Sequence, residues 1–177
     1  MIHREARGLG YYAGSHWFLG WLALGLIAVA SLWLFSALRA AQAIAEKMVV
    51  ELTVQSMRTG LKVAMGEAVI SMRDSEISGW VGCNPIRWLE MPPVGYTGDC
   101  QAGGKVAEGG WCFEPSSGDL VYRPRNEHAL ERIQNDGSDG PLLLRWRVVK
   151  VGKDTPGDSG FTGLRVENVT PYRWEVE

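Results

Sequence analysis

The residues best equipped for chemistry are three cysteines, three histidines and two aspartate-bearing loops. Cys83, Cys100 and Cys112 can form one disulfide and leave one thiol, in three alternative pairings. No Cys-x-x-Cys occurs, so dithiol redox catalysis has no motif to work with. His3, His16 and His128 are scattered, and no two have metal-ligand spacing; they read as solvent or interface residues. Asp136 and Asp139 lie in NDGSDGP, and Asp154 and Asp158 in KDTPGDSG. Flexible oxygen-rich loops suit calcium, which makes these four the candidate ligands for that ion. Their spacing does not fit an EF-hand, and Asx-turns account for the same residue types. No Gly-x-Ser-x-Gly, Walker loop, dinucleotide fingerprint or recognisable carboxylate pair is present, so no enzyme is expected, and no cofactor beyond calcium. Asn168-Val169-Thr170 matches a glycosylation sequon, relevant only in a eukaryotic secretory pathway.

The elements that must position these residues are unevenly distributed. The chain has 177 residues, 46% apolar and 21% charged, with a formal net charge of −2, which argues against a dedicated nucleic-acid partner. Mean hydropathy is −0.08, yet no Asp, Glu, Lys or Arg occurs between Arg7 and Arg39. Trp17 to Leu38 is the densest apolar run and, as a helix, would be roughly 33 Å long, about one bilayer core. Trp17, Trp21 and Trp33 lie toward its ends, as interfacial aromatics do. Gly20, Gly25, Ala28 and Ser31 are small residues that permit close helix approach, although Gly20 and Gly25 do not form GxxxG. The run exceeds the apolar core of a signal peptide and lacks a good cleavage site, so a retained anchor is expected. Positive charges flank it nearly evenly. Three cysteines beyond it favour an oxidising compartment there, hence a cytoplasmic amino terminus (residues 1–16), a transmembrane helix (17–38) and a periplasmic remainder.

Beyond the anchor, Leu38, Ala41, Ala45, Met48 and Leu52 follow helical 3,4 spacing, and Val54, Met57, Leu61, Ala64 and Ala68 repeat it after a shift of two. The first proline of the exported part is Pro85, so the spacing predicts an amphipathic stem over 39–78, either continuous or broken near Gly60. From residue 79 to 177 the pattern changes to short strands and turns. Residues 110–114 and 119–123 form a hairpin about Pro115-Ser116-Ser117-Gly118. Residues 142–151 form the best strand, with Leu142, Leu144, Trp146 and Val148 on one face and Arg145 and Arg147 on the other. Residues 163–169 and 172–176 complete the set. A half-buried antiparallel sheet needs a cover, and the stem helix is the long element available.

This layout resembles the type IV pilins and the pseudopilins of type II secretion. The local phrases Asn84-Pro85-Ile86-Arg87-Trp88-Leu89, Pro92-Pro93, Tyr96-Thr97-Gly98, Gly110-Trp111-Cys112-Phe113-Glu114-Pro115 and Gly118-Asp119-Leu120-Val121-Tyr122 look like the sheet region of accessory proteins encoded with mannose-sensitive-haemagglutinin-type pili. The resemblance implies an α+β, pilin-like fold: a long amino-terminal helix packed on a small antiparallel sheet. It implies calcium in a carboxy-terminal loop as an option, and the inner membrane with pilin-like or assembly-platform proteins as partners. One departure limits it. Pilin precursors carry a Gly cleaved before a Phe-type residue and a Glu five positions on. Here Gly8 and Gly10 precede Leu9 and Tyr11, and nothing acidic follows before Arg39. An accessory or scaffold role is implied rather than that of a polymerising subunit.

A hairpin between strands 95–100 and 110–114 would place Cys100 opposite Cys112, making this the expected bridge, with Cys83–Cys100 as the alternative. Residues expected to mediate assembly are Gly20, Gly25 and Ala28 in the anchor, and Leu38, Met48 and Leu52 in the stem. No small-molecule substrate is expected. The competing functions are a single-pass periplasmic binding or sensory module unrelated to pili, and a periplasmic enzyme using the aspartate loops with a metal.

Overall fold

A computed structural model describes residues 10–101, 106–133, 140–152 and 163–175, with side chains from residue 17 onward except that of residue 132. The chain forms two units, residues 1–42 and 43–177.

Helix α1 (Gly10–Ile70) has 61 residues and no internal proline. It begins within the segment expected to be a tail. Its amino-terminal part is long and apolar enough to cross a membrane, and every side chain from residue 17 to 42 is exposed. The helix passes through Gly60 unbroken. It ends at Ile70, earlier than the expected stem limit at residue 78. Met72 takes a positive φ of 55°. The Met72 amide then donates to Val69 O (3.1 Å) and the Arg73 amide to Ala68 O (2.8 Å). This is a Schellman ending, with methionine where glycine is usual. A short α2 (Asp74–Ile77) follows and buries Ile77. Residues Pro85–Trp88 make a 3₁₀ turn capped by Asn84, whose Oδ1 accepts from the Ile86 amide.

Five strands form one sheet in the order β1-β2-β3-β5-β6: β1 (Tyr96–Asp99), β2 (Trp111–Glu114), β3 (Asp119–Tyr122), β5 (Leu144–Lys150) and β6 (Leu164–Asn168). Strands β4 (Leu130–Arg132) and β7 (Tyr172–Trp174) pair separately and antiparallel. The expected hairpin about residues 115–118 is present, with Glu114 opposite Asp119 and the Gly118 amide donating to Glu114 O. One expectation is corrected. β1 and β2 run parallel, with Tyr96 opposite Trp111, so the sheet is mixed rather than wholly antiparallel. Parallel neighbours need a connection that crosses over the sheet. Of the connecting residues, Val106 packs on Cys112 and Val121, while 102–105 lie outside the described residues.

The core lies between the stem and the inner sheet face. Val50, Val54, Met57, Leu61 and Ala68 of α1 pack with Trp111, Leu120, Tyr122, Leu144, Trp146, Val148, Leu164 and Val166. The helical residues recur at 4, 3, 4 and 7, so one seam faces the sheet. The strand residues alternate, as β5 shows by burying Leu144, Trp146 and Val148 while Arg145 and Arg147 turn outward.

Candidate functional site

The stem carries two apolar faces. At 100° per residue, the seam of Ala43, Val50, Val54 and Met57 lies about 180° from Ile44, Met48, Val49 and Leu52. The first set is buried. The second is exposed, Met48 at 59% and Leu52 at 66%. A helix that needed only to cover the sheet would be polar on that opposite side. Farther along, this side becomes polar at Gln55, Ser56, Thr59 and Lys62. Beyond that polar interruption Val63 and Ile70 are again exposed on this side.

Met48 and Leu52 also border an open groove of about 640 Å³. Its other lining residues include Glu51, Gln55 and Arg58 from the helix, with Trp146, Asn168 and Tyr172 from the sheets. Tyr172 OH is held above the usual phenol range, first by burial and then by the charge of Glu51, while Arg58 opposes the shift. The hydroxyl thus remains a donor through neutral pH.

Within residues 17–42, Gly20 and Gly25 have no heavy atom within 4 Å of where a Cβ would sit. Gly25 lines a shallow apolar groove with Phe18, Trp21, Leu22, Leu26 and Val29. Ala28 and Leu38 are exposed. The Arg39 guanidinium sits 4.3 Å over the Phe35 ring, a cation–π contact at the end of the charge-free run.

Cys100 and Cys112 are bonded, with Cα atoms 4.9 Å apart. The bond closes a short loop, which contributes roughly 3 kcal/mol by the chain-entropy estimate. It ties a parallel crossover rather than the hairpin expected from the spacing. Cys83 is a free thiol, half-buried, donating to Gly79 O at 3.4 Å. His128 is exposed in a 3₁₀ turn at Glu127–Ala129. Asp136, Asp139, Asp154 and Asp158 lie outside the described residues, as does His3.

Two clusters were not visible as sites in the sequence. On the outer sheet face, Arg145 Nη1 donates to Glu114 Oε2 at 2.6 Å and approaches Asp119 Oδ2 at 3.4 Å. Arg147 Nε donates to Asp119 Oδ1 at 2.7 Å. Asp119 is the buried member, its side chain only 4% exposed, and a buried carboxylate requires such partners. Hydrogen bonds from Arg145 and then Ser117 hold the Glu114 carboxyl below the usual carboxylate range. Because its folded value is depressed, its stabilisation is present above the ordinary glutamate value and is lost as pH falls through the folded one. Urea unfolding should therefore show Glu114→Gln less stable than wild type at neutral pH, with the gap closing below about pH 4. A gap that stays constant across that range contradicts the pairing.

The other cluster surrounds Glu46. Its carboxylate accepts from Tyr122 OH, the Arg125 amide, and the Asn126 amide and Nδ2. One signal could have found it: Glu46 falls three residues after Ala43 and four before Val50, on the otherwise apolar seam. Comparisons of the chain with protein-family models, with curated proteins and with solved structures find no match.

Proposed function

We propose that this chain is a membrane-anchored, pilin-like accessory or scaffold protein of a type IV pilus, of the mannose-sensitive-haemagglutinin kind, or of a type II secretion apparatus, and that it is not an enzyme. The observation that carries the reading is the unpartnered apolar face of the stem, Ile44, Met48, Val49 and Leu52, on the same helix as a run long enough to span a bilayer. Apolar side chains that the protein's own sheet does not cover are stabilised by burial against another helix or lipid. In this reading the anchor crosses the inner membrane once, with the amino terminus in the cytoplasm and the sheet in the periplasm. The Cys100–Cys112 bond supports an oxidising location for the sheet. The small residues Gly20, Gly25 and Ala28 would let neighbouring anchors approach closely, and Leu38, Met48 and Leu52 are further residues proposed to meet partner helices.

The groove beside Trp146 and Tyr172 favours a second reading, a single-pass periplasmic binding or sensory module. Genetics separates the two. Clean deletion is expected to abolish surface pili or secretion, and normal piliation and secretion in the deletion strain would sink the proposal. In the same strain, Met48→Glu combined with Leu52→Glu should keep the fold, because both side chains are exposed. It should reduce co-purification of pilin-like partners from the membrane at least tenfold. Undiminished co-purification would mean that this face is not the contact.

A further inference from the structure

The side of the stem turned away from the sheet has coiled-coil spacing. Val49, Leu52, Ser56, Thr59, Val63, Gly66 and Ile70 recur at alternating 3 and 4, all exposed and none charged. At 100° per residue this stripe is centred about 160° from the buried seam of Val50, Val54, Met57, Leu61 and Ala68, so the sheet does not cover it. From Val49 to Ile70 the helix runs roughly 33 Å. Val49, Ser56, Val63 and Ile70 share one position of the heptad, and Leu52, Thr59 and Gly66 share the other. β-branched residues at the first with leucine at the second favour two parallel strands. The polar middle of the stripe tolerates burial, because Thr59 Oγ1 already donates to Gln55 O at 3.0 Å.

Lys62 and Glu67 flank the stripe on opposite sides. Both are exposed, and among the described residues neither has an ion-pair partner. In two parallel helices held in register, flanking residues placed like these meet across the seam. We infer that two copies of this chain pair through the stripe as a parallel two-stranded coil, Lys62 of each copy bonded to Glu67 of the other. The two ion pairs are related by the two-fold axis, so the face is self-complementary, as a pair of identical chains requires. A slip of one heptad places Lys62 beside Gly60 in one direction and beyond the end of α1 in the other. Both ion pairs are then lost, and charge selects one register. The other flanking positions that meet, Met48 with Thr53 and Gln55 with Gly60, carry no charge and oppose nothing. The direction agrees with a single-pass anchor, since two copies in one bilayer carry their stems the same way. The pairing names the partner of the exposed stem face and rests on the anchored reading for its direction alone.

The test uses the full chain in detergent micelles, in a Cys83→Ser background. In register, Val63 faces Val63 of the second copy and Ile70 faces its Ile70, each within disulfide range. On mild oxidation, Val63→Cys alone and Ile70→Cys alone should each cross-link at least tenfold more than the two variants link to each other in a mixture. That mixed disulfide needs a slip of one heptad. Sedimentation then separates the stem from association through the anchor. Lys62→Glu sets like charges opposite at both pairs and should weaken dimerisation about tenfold. Lys62→Glu with Glu67→Lys should restore it. No cross-link at Val63, an equally abundant mixed disulfide, or a dimer indifferent to Lys62→Glu overturns the proposal. A chain that stays monomeric, yet whose deletion abolishes piliation or secretion, overturns the self-pairing and leaves the pilus reading standing. A dimer that passes these tests, in a species whose deletion strain pilates and secretes normally, upholds the pairing and sinks that reading.

Discussion

Gly60→Ala is expected to destabilise the protein by about 2 kcal/mol, even though it replaces glycine with the best helix former. Two effects oppose each other. Helix propensity favours alanine by about 1 kcal/mol in a helix interior. Against this, a Cβ at residue 60 would overlap the Trp88 carbonyl oxygen and crowd its carbon and Cβ. The obstacle is backbone, not the end of a flexible side chain. Trp88 is also held in place, with its ring 5.6 Å from Trp80 and its 3₁₀ turn capped by Asn84. Inserting an atom into a fixed contact costs about 1–3 kcal/mol, at the upper end where neighbours cannot shift, so the steric effect wins. Gly66 provides the control, since nothing lies within 4 Å of its Cβ position. Gly66→Ala should stabilise by up to about 1 kcal/mol. Urea unfolding of both variants measures the difference, and the two changes must have opposite signs. If Gly60→Ala also stabilises, the close approach of the Trp88 turn to the stem is wrong.

That glycine illustrates what sequence could and could not convey. Periodicity made the helix and most strands legible, because burial on one face forces a 3,4 spacing in the stem and alternation in β5. The two stem stripes were also readable. Which one faced the sheet was not, since both are apolar and only tertiary packing assigns Val54, Met57 and Leu61 to the core and leaves Met48 and Leu52 outside. Gly60 read as a weak point in a helix because propensity is local, whereas its role depends on residue 88. The helical spacing runs out near Met72, close to the helix end at Ile70, but the stem limit at residue 78 overshoots it for a related reason. The left-handed position there is occupied by Met72, and the glycine that usually marks such an ending is absent. The parallel pairing of β1 and β2 escaped because strand direction leaves no periodic trace, and a connection of residues 100–110 suits a long hairpin loop as well as a crossover. The disulfide was legible from spacing, although the geometry that forms it was not the one expected. β4 was too short to show any alternation.

Glu46→Ala is expected to have the largest effect, a loss of about 4 kcal/mol. The carboxylate gathers four donors: Tyr122 OH at 2.8 Å, the Arg125 amide at 2.6 Å, the Asn126 amide at 3.3 Å and Asn126 Nδ2 at 3.2 Å. A hydrogen bond to a charged group contributes about 1.5–3 kcal/mol, and a buried donor left unpaired costs about 1–3 kcal/mol. The bonds share one acceptor and do not add; Glu46 is half-buried and Arg125 exposed, so the total stays near one charge-assisted bond plus the penalty for one stranded buried donor. Tyr122 sets most of it, because its residue is 4% exposed and its hydroxyl would be stranded. Glu46→Gln keeps one acceptor oxygen but turns an amide donor toward other donors, so it should fall about midway, near 2 kcal/mol. Tyr122→Phe removes hydroxyl and penalty together and should cost about 1 kcal/mol. In the cycle, Glu46→Ala with Tyr122→Phe must lose less than the sum of the single variants. Alkaline titration offers an independent readout. Burial first, and then Glu46, raise the Tyr122 hydroxyl well above the usual phenol range. A folded value raised in this way gives stability that is complete below about pH 10 and is lost at higher pH. Removing Glu46 should lower the phenol's titration point without restoring the ordinary value, since the larger cause, burial, remains. Additive single variants, or a phenol whose titration ignores Glu46, would show that this carboxylate does not hold the stem to residues 122–126.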